Sequence, residues 1–394
     1  MKKQTQAIHL EYERRDAYDS LSVPVYNTLA YEFDNAAVMA EAFTDKIKAP
    51  DYSRVENPTV TNLERRVAAL TDAAHATAFN SGMAAISNTL MALAAQGKNI
   101  VTSKHLFGNT YALLVATLRR FGVKVRLRDL TNIEAVREAI DDDTYCVFLE
   151  ILTNPQLEVA DLKAISEVAH EKNVPLVVDS TVIPFTQFSA KSLGVDIEVV
   201  SSSKYVSGGA TSLGGLVIDY GTPYNGDFAK RLYGEMLFNF GAYMTPQVAY
   251  MQTIGLETLD ARYRVQSSNA LELAKKLRSL PQIKLVNYVG LEDNPYHELA
   301  QRQFGKTAGA MICIDLESKE ACFSFLNNLK LIHRATNLFD NRSLAIHPAS
   351  TIFGAFSESM RKSMDVKDTT IRLSIGLEDV DDLFEDIKQA VDSL

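Results

Sequence analysis

The stretch from Val174 to Ile218 constrains the fold most. It holds three short apolar runs, Val174 to Val178, Ile197 to Val200 and Leu216 to Ile218, each rich in β-branched residues and too short for a helix. Runs of this kind, polar only at their ends, suit strands buried on both faces of a sheet. The first ends in Asp179, and the second leads into Ser201, Ser202, Ser203 and Lys204. Glycines follow at 208, 209, 214 and 215. Strand ends in such a sheet open into a site. An acid there can hold a protonated ring nitrogen, and a lysine after a serine cluster can form a Schiff base with an aldehyde cofactor. The same two residues also suit a strand cap and a solvated surface amine.

The neighbouring sequence extends the pattern. Residues 73 to 218 alternate strand runs, among them Asn99 to Ser103, Val123 to Leu127 and Tyr145 to Leu149, with helices at Ala84 to Ala95, Tyr111 to Arg120 and Thr131 to Ile140. Asp161 is placed to cap a further helix ending near His170. This alternation indicates α/β organisation. Ser81-Gly82-Met83 forms a small-residue turn into a helix, where backbone N–H groups can approach an anion. No dinucleotide fingerprint or phosphate loop occurs at a suitable position. Residues 1 to 60, rich in Tyr and Arg, read as an arm of short extended pieces that covers a neighbouring subunit or packs on its own chain. A helix from about Thr258 to Leu280 leads to a smaller α/β domain over 282 to 394. There, Ser343 to Pro348 and Ile371 to Gly376 are the segments expected to face the first domain's site.

Composition narrows the function. A chain of 394 residues can hold more than one core, and a net charge of −9 argues against broad nucleic-acid or anionic-membrane binding. The first twenty residues are charged, without a following apolar stretch, and no run reaches membrane-spanning length. Cys146, Cys313 and Cys322 are scattered, which suits a reducing, cytoplasmic setting and offers neither a disulfide framework nor a thiolate metal site. No metal is expected.

With Tyr52-Ser53-Arg54, Asn57-Pro58-Thr59, Ser81-Gly82-Met83, Glu150 with Asn154-Pro155, Val178-Asp179, Ser201 through Tyr205, and Arg372 through Gly376, the chain resembles the cysteine/methionine-metabolism family of pyridoxal-phosphate enzymes over nearly its whole length. The resemblance implies a fold-type I, aminotransferase-like α/β architecture with a large mixed-sheet cofactor domain and a smaller C-terminal domain. It divides the chain into an arm (1–60) contributing to a neighbouring active site, a pyridoxal-phosphate domain (61–245), and a connecting helix with the C-terminal domain (246–394). Asn287 to Glu292, Tyr296 to Ala300 and Ser343 to Thr351 look closest to the O-acetylhomoserine sulfhydrylase branch. That branch replaces acetate at Cγ with sulfide to make homocysteine, or with methanethiol to make methionine. A methionine γ-lyase or cystathionine lyase is the alternative, and a low-turnover protein that binds a sulfur carrier is a third.

The resemblance also implies residue roles. Lys204 bears the Schiff base and moves protons, Asp179 pairs with the pyridine nitrogen, and Phe107 stacks on the ring. Ser81, Gly82, Met83, Ser201 and Ser203 surround the phosphate, with Tyr52 and Arg54 reaching it from the neighbouring subunit. Arg372 takes the substrate carboxylate, helped by Asn154 and Ser343, and Asn109 forms a pocket wall. The implied partners are amino-acid and thiol substrates, further copies of the chain in a tetramer of site-sharing dimers, and a sulfur-delivery protein. Three features depart from the family's habit: Phe107 replaces a usual tyrosine, Asn109 replaces the cysteine of the γ-lyases or the glycine of the γ-synthases, and the segment from Gly215 to Tyr233 is short.

Overall fold

The computed structural model describes residues 1–10, 16–44 and 46–394; the arm's charged residues Glu11, Glu13, Arg14 and Arg15 lie outside them. The larger sheet contains β1 (His75–Phe79), β2 (Asn99–Ser103), β3 (Lys124–Arg128), β4 (Thr144–Glu150), β5 (Leu176–Asp179), β6 (Ile197–Val200) and β7 (Gly215–Asp219). Their order is β1-β7-β6-β5-β4-β2-β3. Only β7 runs against its neighbours, being antiparallel to both β1 and β6, so the sheet is mixed. Strands β2, β6 and β7 are buried at every residue, as the continuous apolar runs require of strands covered on both faces.

Three helix starts follow local rules. Asn57, Ser81 and Asp161 accept backbone N–H groups of Pro58–Thr71, Gly82–Leu93 and Leu162–His170. The 19-residue helix Leu259–Leu277 leads to the second sheet. That sheet comprises β8 (Leu285–Asn287), β9 (Met311–Asp315), β10 (His333–Arg334), β11 (Leu344–Ile346) and β12 (Thr370–Ser374), in the order β10-β11-β12-β9-β8. The fold is α/β, with both sheets flanked by helices.

Three segments differ from the sequence reading. The single helix expected over Tyr111 to Arg120 is instead an α turn (Gly108–Ala112), a wider π turn (Leu113–Thr117) and a tight 3₁₀ turn (Leu118–Phe121). These changes of winding leave Tyr111, Leu114 and Leu118 all buried. The arm holds a short helix, Ala36–Ala42, capped by Asn35, that the sequence reading did not name. A helix over Pro246–Glu257 was not anticipated, because it carries apolar residues on several faces and an internal glycine. Gly255 is needed there: a Cβ would stand 2.0 Å from the Val206 carbonyl, so its absence lets the helix approach the turn after Lys204.

Candidate active site

The C-terminal ends of β4, β5 and β6 lie side by side. Register pairs Glu150 with Asp179, and Asp179 with Val199, so the two acids and the turn Ser201 to Lys204 share one edge of the sheet. The Thr181 N–H donates to Asp179 Oδ1 at 2.9 Å, and the Thr181 hydroxyl accepts the Ser201 N–H at 2.8 Å. Burial raises the Asp179 carboxyl, opposed by the Thr181 hydrogen bonds and by Lys204. Glu150 is pushed well above the carboxylate range, first by burial and then by Asp179. Its Oε1 accepts the Phe107 N–H at 2.5 Å. Glu150 was noted at its strand end but given no role in the sequence reading.

The antiparallel β7 brings a second strand end to the same edge. Phe79 of β1 faces Gly215, so the Ser81-Gly82 helix start lies against the Ser201 turn. A Cβ on Gly82 would stand 2.5 Å from Ser201 Cβ, and one on Gly215 would stand 2.2 Å from the Ser81 carbonyl. Glycine at both positions therefore lets the first amides of Gly82–Leu93 close on Ser201. These amides have no partner within the helix except the one capped by Ser81, so the cradle fits a phosphate. Met83 lies in the same first turn, its sulfur 3.9 Å from the Thr110 hydroxyl. Ser203 is turned elsewhere: its hydroxyl donates to the Gly214 carbonyl at 3.2 Å and accepts the Gly214 N–H at 2.9 Å. Its hydroxyl proton pins the glycine segment rather than facing the helix start.

The lysine and arginine meet through a residue that sequence reasoning missed. Lys204 Nζ donates to Asn337 Oδ1 at 2.8 Å. Arg372, on β12 and 3% exposed, donates through Nη2 to the Asn337 carbonyl at 3.3 Å and through Nη1 to Asn154 Oδ1 at 3.1 Å. Its Nε is buried without a partner, and among the described residues it has no carboxylate. Burial, then Arg372, lowers the Lys204 amine to about 8, with Asp179 opposing. Burial likewise brings the Arg372 guanidinium down to about 10. Two cations held by neutral oxygens form a receptor for an anionic group.

Ser343 does not join this clamp. Its hydroxyl donates to Glu378 Oε2 at 2.9 Å and accepts the Gly376 N–H at 2.9 Å, and its own N–H donates to Glu378 Oε1 at 2.5 Å. It ties the chain after β12 to the turn before β11, and Asn337 occupies the place expected for it. The signal for Asn337 was weak, since it lies in an irregular segment just before Phe339, whose φ is +58°.

Phe107 and Asn109 stand on the turn after β2. Asn109 is exposed, in the first turn of Gly108–Ala112, and a Cβ on Gly108 would meet the Ile352 carbonyl at 2.7 Å. That close approach seats the turn on the C-terminal part of the chain. Tyr52 and Arg54 meet a different region. Arg54 Nη1 donates to the Phe238 carbonyl at 2.6 Å, and its guanidinium lies over the Tyr52 and Phe238 rings. Among the described residues neither bonds to the Ser81–Met83 or Ser201–Lys204 cradle.

The family profile described as "Cys/Met metabolism PLP-dependent enzyme" matches residues 4–392. An L-methionine gamma-lyase of Fusobacterium nucleatum subsp. polymorphum is 37% identical over 394 residues, covering 99% of this chain and 98% of its own. An O-acetyl-L-homoserine sulfhydrylase of Corynebacterium glutamicum is 31% identical, covering 98% and 95%. A Campylobacter jejuni crystal structure assigned as an O-acetylhomoserine (thiol)-lyase, holding a pyridoxyl-lysine phosphate, superposes with a TM-score of 0.95 at 35% identity and covers 100% of both chains.

Proposed function

The chain belongs to the Cys/Met metabolism PLP-dependent enzymes, and from that premise we propose that it is an O-acetyl-L-homoserine sulfhydrylase. It is an enzyme, and its cofactor is pyridoxal 5′-phosphate. In the proposed reaction, acetate leaves Cγ and sulfide takes its place to give L-homocysteine; methanethiol in place of sulfide gives methionine. When bound, the cofactor supplies an electron sink for the substrate's α-carbon.

The protein's own groups divide the remaining work. Lys204, brought down to about 8, has a usable neutral fraction near neutral pH, so it can hold the cofactor aldehyde and afterwards carry a proton from Cα. Asp179 supplies a carboxylate at the strand end for the ring nitrogen. The Gly82 helix start and Ser201 receive the phosphate. Phe107 covers one ring face, keeping an apolar surface but offering no hydroxyl for proton transfer. Arg372 and Asn154 receive the α-carboxylate, and Asn337 aligns the arginine with the lysine.

The observation that carries this reading is the Arg372 guanidinium: buried, without a carboxylate among the described residues, and one residue removed from the Lys204 amine. The clamp brings together one arginine for one carboxylate. An acetyl ester adds no further charge, whereas a succinyl ester would bring a second carboxylate to be neutralised. Ser343 through Thr351 supports the sulfhydrylase branch. The second reading, methionine γ-lyase, is favoured by the 37% identity to the Fusobacterium enzyme.

The same reading makes the chain a cytoplasmic tetramer of dimers that share sites across the arm. Tyr52 is 41% exposed beside Arg54, and Phe240 is 61% exposed near the Phe238 carbonyl that holds that arginine. Mixed dimers of Lys204→Ala and Arg54→Ala subunits are expected to regain activity. Proven mixed dimers that stay inactive would place each site within one chain.

A matched substrate panel tests the branch. O-acetylhomoserine with sulfide is expected to outperform methionine, cystathionine and O-succinylhomoserine, with homocysteine as the dominant product. Preferential conversion of methionine to a keto acid, ammonia and methanethiol would overturn the sulfhydrylase in favour of the lyase.

A further inference from the structure

Behind the Arg372–Asn154 clamp the two halves of the protein meet across a cavity of about 220 Å³, lined by Pro155, Gln156, Glu158, Cys313 and Asp365 among others. Cys313 is the register partner of Arg372, and its thiol donates to the Pro155 carbonyl at 3.1 Å. Polar contacts ring this joint. Asn287 Nδ2 donates to the Gln156 carbonyl at 2.9 Å, and Gln156 Nε2 donates to the Met364 carbonyl at 2.7 Å.

A buried imidazole spans the joint. His105, buried two residues before Phe107, places Nδ1 2.5 Å from Glu158 Oε2 and Nε2 2.8 Å from Asp365 Oδ2. Glu158 follows Asn154 in the loop that holds Arg372, and Asp365 lies just before β12 in the C-terminal part. Lys104 reaches Asp365 at 2.6 Å, and Lys367 pairs with Asp315 among the cavity's lining residues. The imidazole thus touches the segment bearing the substrate clamp and the element before β12, while its own backbone leads into the Phe107 turn.

We propose that the Glu158–His105–Asp365 bridge is a positioning device for the amino-acid site. It fixes the Phe107 turn and the Asn154 loop to each other and to the C-terminal sheet, so that substrate and cofactor affinity weaken together when His105 loses its proton. Two carboxylates facing the two ring nitrogens are both satisfied only by the imidazolium, which donates at each nitrogen. Burial lowers the His105 pKa, but Glu158 and Asp365 outweigh it and leave it raised; Lys104 opposes them. The sign follows: the bridge is whole below the ordinary histidine value, persists above it, and is lost as pH rises through the raised value. The inference rests on the proposed amino-acid site for its substrate effect. Its effect on the two loops is independent of that site.

The test compares holoenzyme with His105→Gln and Asp365→Asn. The control is His170→Gln, which breaks a bridge to Asp196 at the opposite edge of the sheet. Amide hydrogen exchange is followed in segments 104–109 and 153–159, alongside pyridoxal-phosphate dissociation and the KM for O-acetylhomoserine from pH 6.5 to 9.5. The two bridge variants are expected to exchange faster in both segments. They should release cofactor sooner and raise KM on the order of tenfold with little change in kcat. Wild-type exchange should approach theirs as pH rises. The control should lose stability without these changes. Exchange and cofactor release that match wild type at every pH would overturn the proposal, and so would an equal effect in the control. If Arg372→Ala leaves substrate binding intact, the proposed function falls, while exchange and cofactor release still decide the bridge.

Discussion

Lys204 should destabilise the cofactor-free protein at neutral pH, and the amount can be worked from its surroundings. Its amine sits at about 8 instead of 10.5, first through burial and then through Arg372. That displacement corresponds to roughly 3 kcal/mol against the charged form. In the unfolded chain the amine stays protonated up to its ordinary value, whereas in the folded chain it loses its proton near 8. The unfolded state therefore binds more protons between these values, and stability rises with pH across that window. Lys204→Met keeps most of the stem and removes the charge. It also leaves Asn337 Oδ1 without its donor, which costs about 1 kcal/mol. The net expectation is a variant about 2 kcal/mol more stable than wild type at pH 7 and about 1 kcal/mol less stable above pH 10.5. Urea unfolding of both cofactor-stripped proteins across this range measures the difference. A gap that keeps one sign and size at every pH would refute the reasoning, because burial of the charged amine would then carry no penalty.

Four further outcomes follow from the site. Asn337→Ala should raise the KM for the amino-acid substrate roughly tenfold by releasing Lys204 from its acceptor. Ser343→Ala should cost about 1–3 kcal/mol in denaturant stability with KM unchanged, since its partners are Glu378 and Gly376. Gly82→Ala should weaken cofactor retention at a packing cost of about 1–3 kcal/mol, because its Cβ would press to 2.5 Å from Ser201 Cβ and 2.9 Å from Ser201 Cα; retention equal to wild type would separate the cradle from that close approach. Glu150→Gln, which mimics a carboxyl pushed toward its neutral form, should leave substrate α-proton exchange within a few-fold of wild type, whereas Asp179→Asn should slow it strongly; equal losses would place the working charge on both acids.

The sheet edge was legible because its strands are short and apolar and their polar ends are abrupt. Asp179 and Lys204 sit where those runs stop, and β6 matches its predicted bounds, Ile197 to Val200. Arg372 was legible as part of a segment expected to face the site, though not as the strand β12. Asn337 was not, because nothing periodic governs an irregular loop and its role depends on where the chain passes after β10. Ser343 shows the complementary limit. Its segment was expected to face the site, but β11 begins one residue later, and in the turn before it the side chain faces Glu378. Glu150 was visible as a strand end, yet its coupling to Asp179 depends on the register between β4 and β5, which single strands do not carry. Pro246–Glu257 escaped because Gly255, read locally, marks a weak helix; its purpose lies in the backbone it approaches.

The charges of the site are arranged around what it must receive. Glu150 and Asp179 are buried in register at adjacent strand ends, where two bare carboxylates would repel each other in a poorly hydrated setting. The structure separates them by their donors. Asp179 accepts the Thr181 N–H and feels the Lys204 cation, both of which favour its ionised form. Glu150 is buried next to that charge and is pushed well above the carboxylate range despite accepting the Phe107 N–H. Of the two, Asp179 is the acid whose surroundings offset burial and favour the charge. On the other side, Arg372 and Lys204 are held by the neutral oxygens of Asn154 and Asn337, so their positive charge is oriented but not cancelled. Under the proposed function, a ligand carrying one cationic ring nitrogen and an amino acid carrying one carboxylate would complete both halves. The strain of holding unmatched charges falls on the empty protein, and binding relieves it.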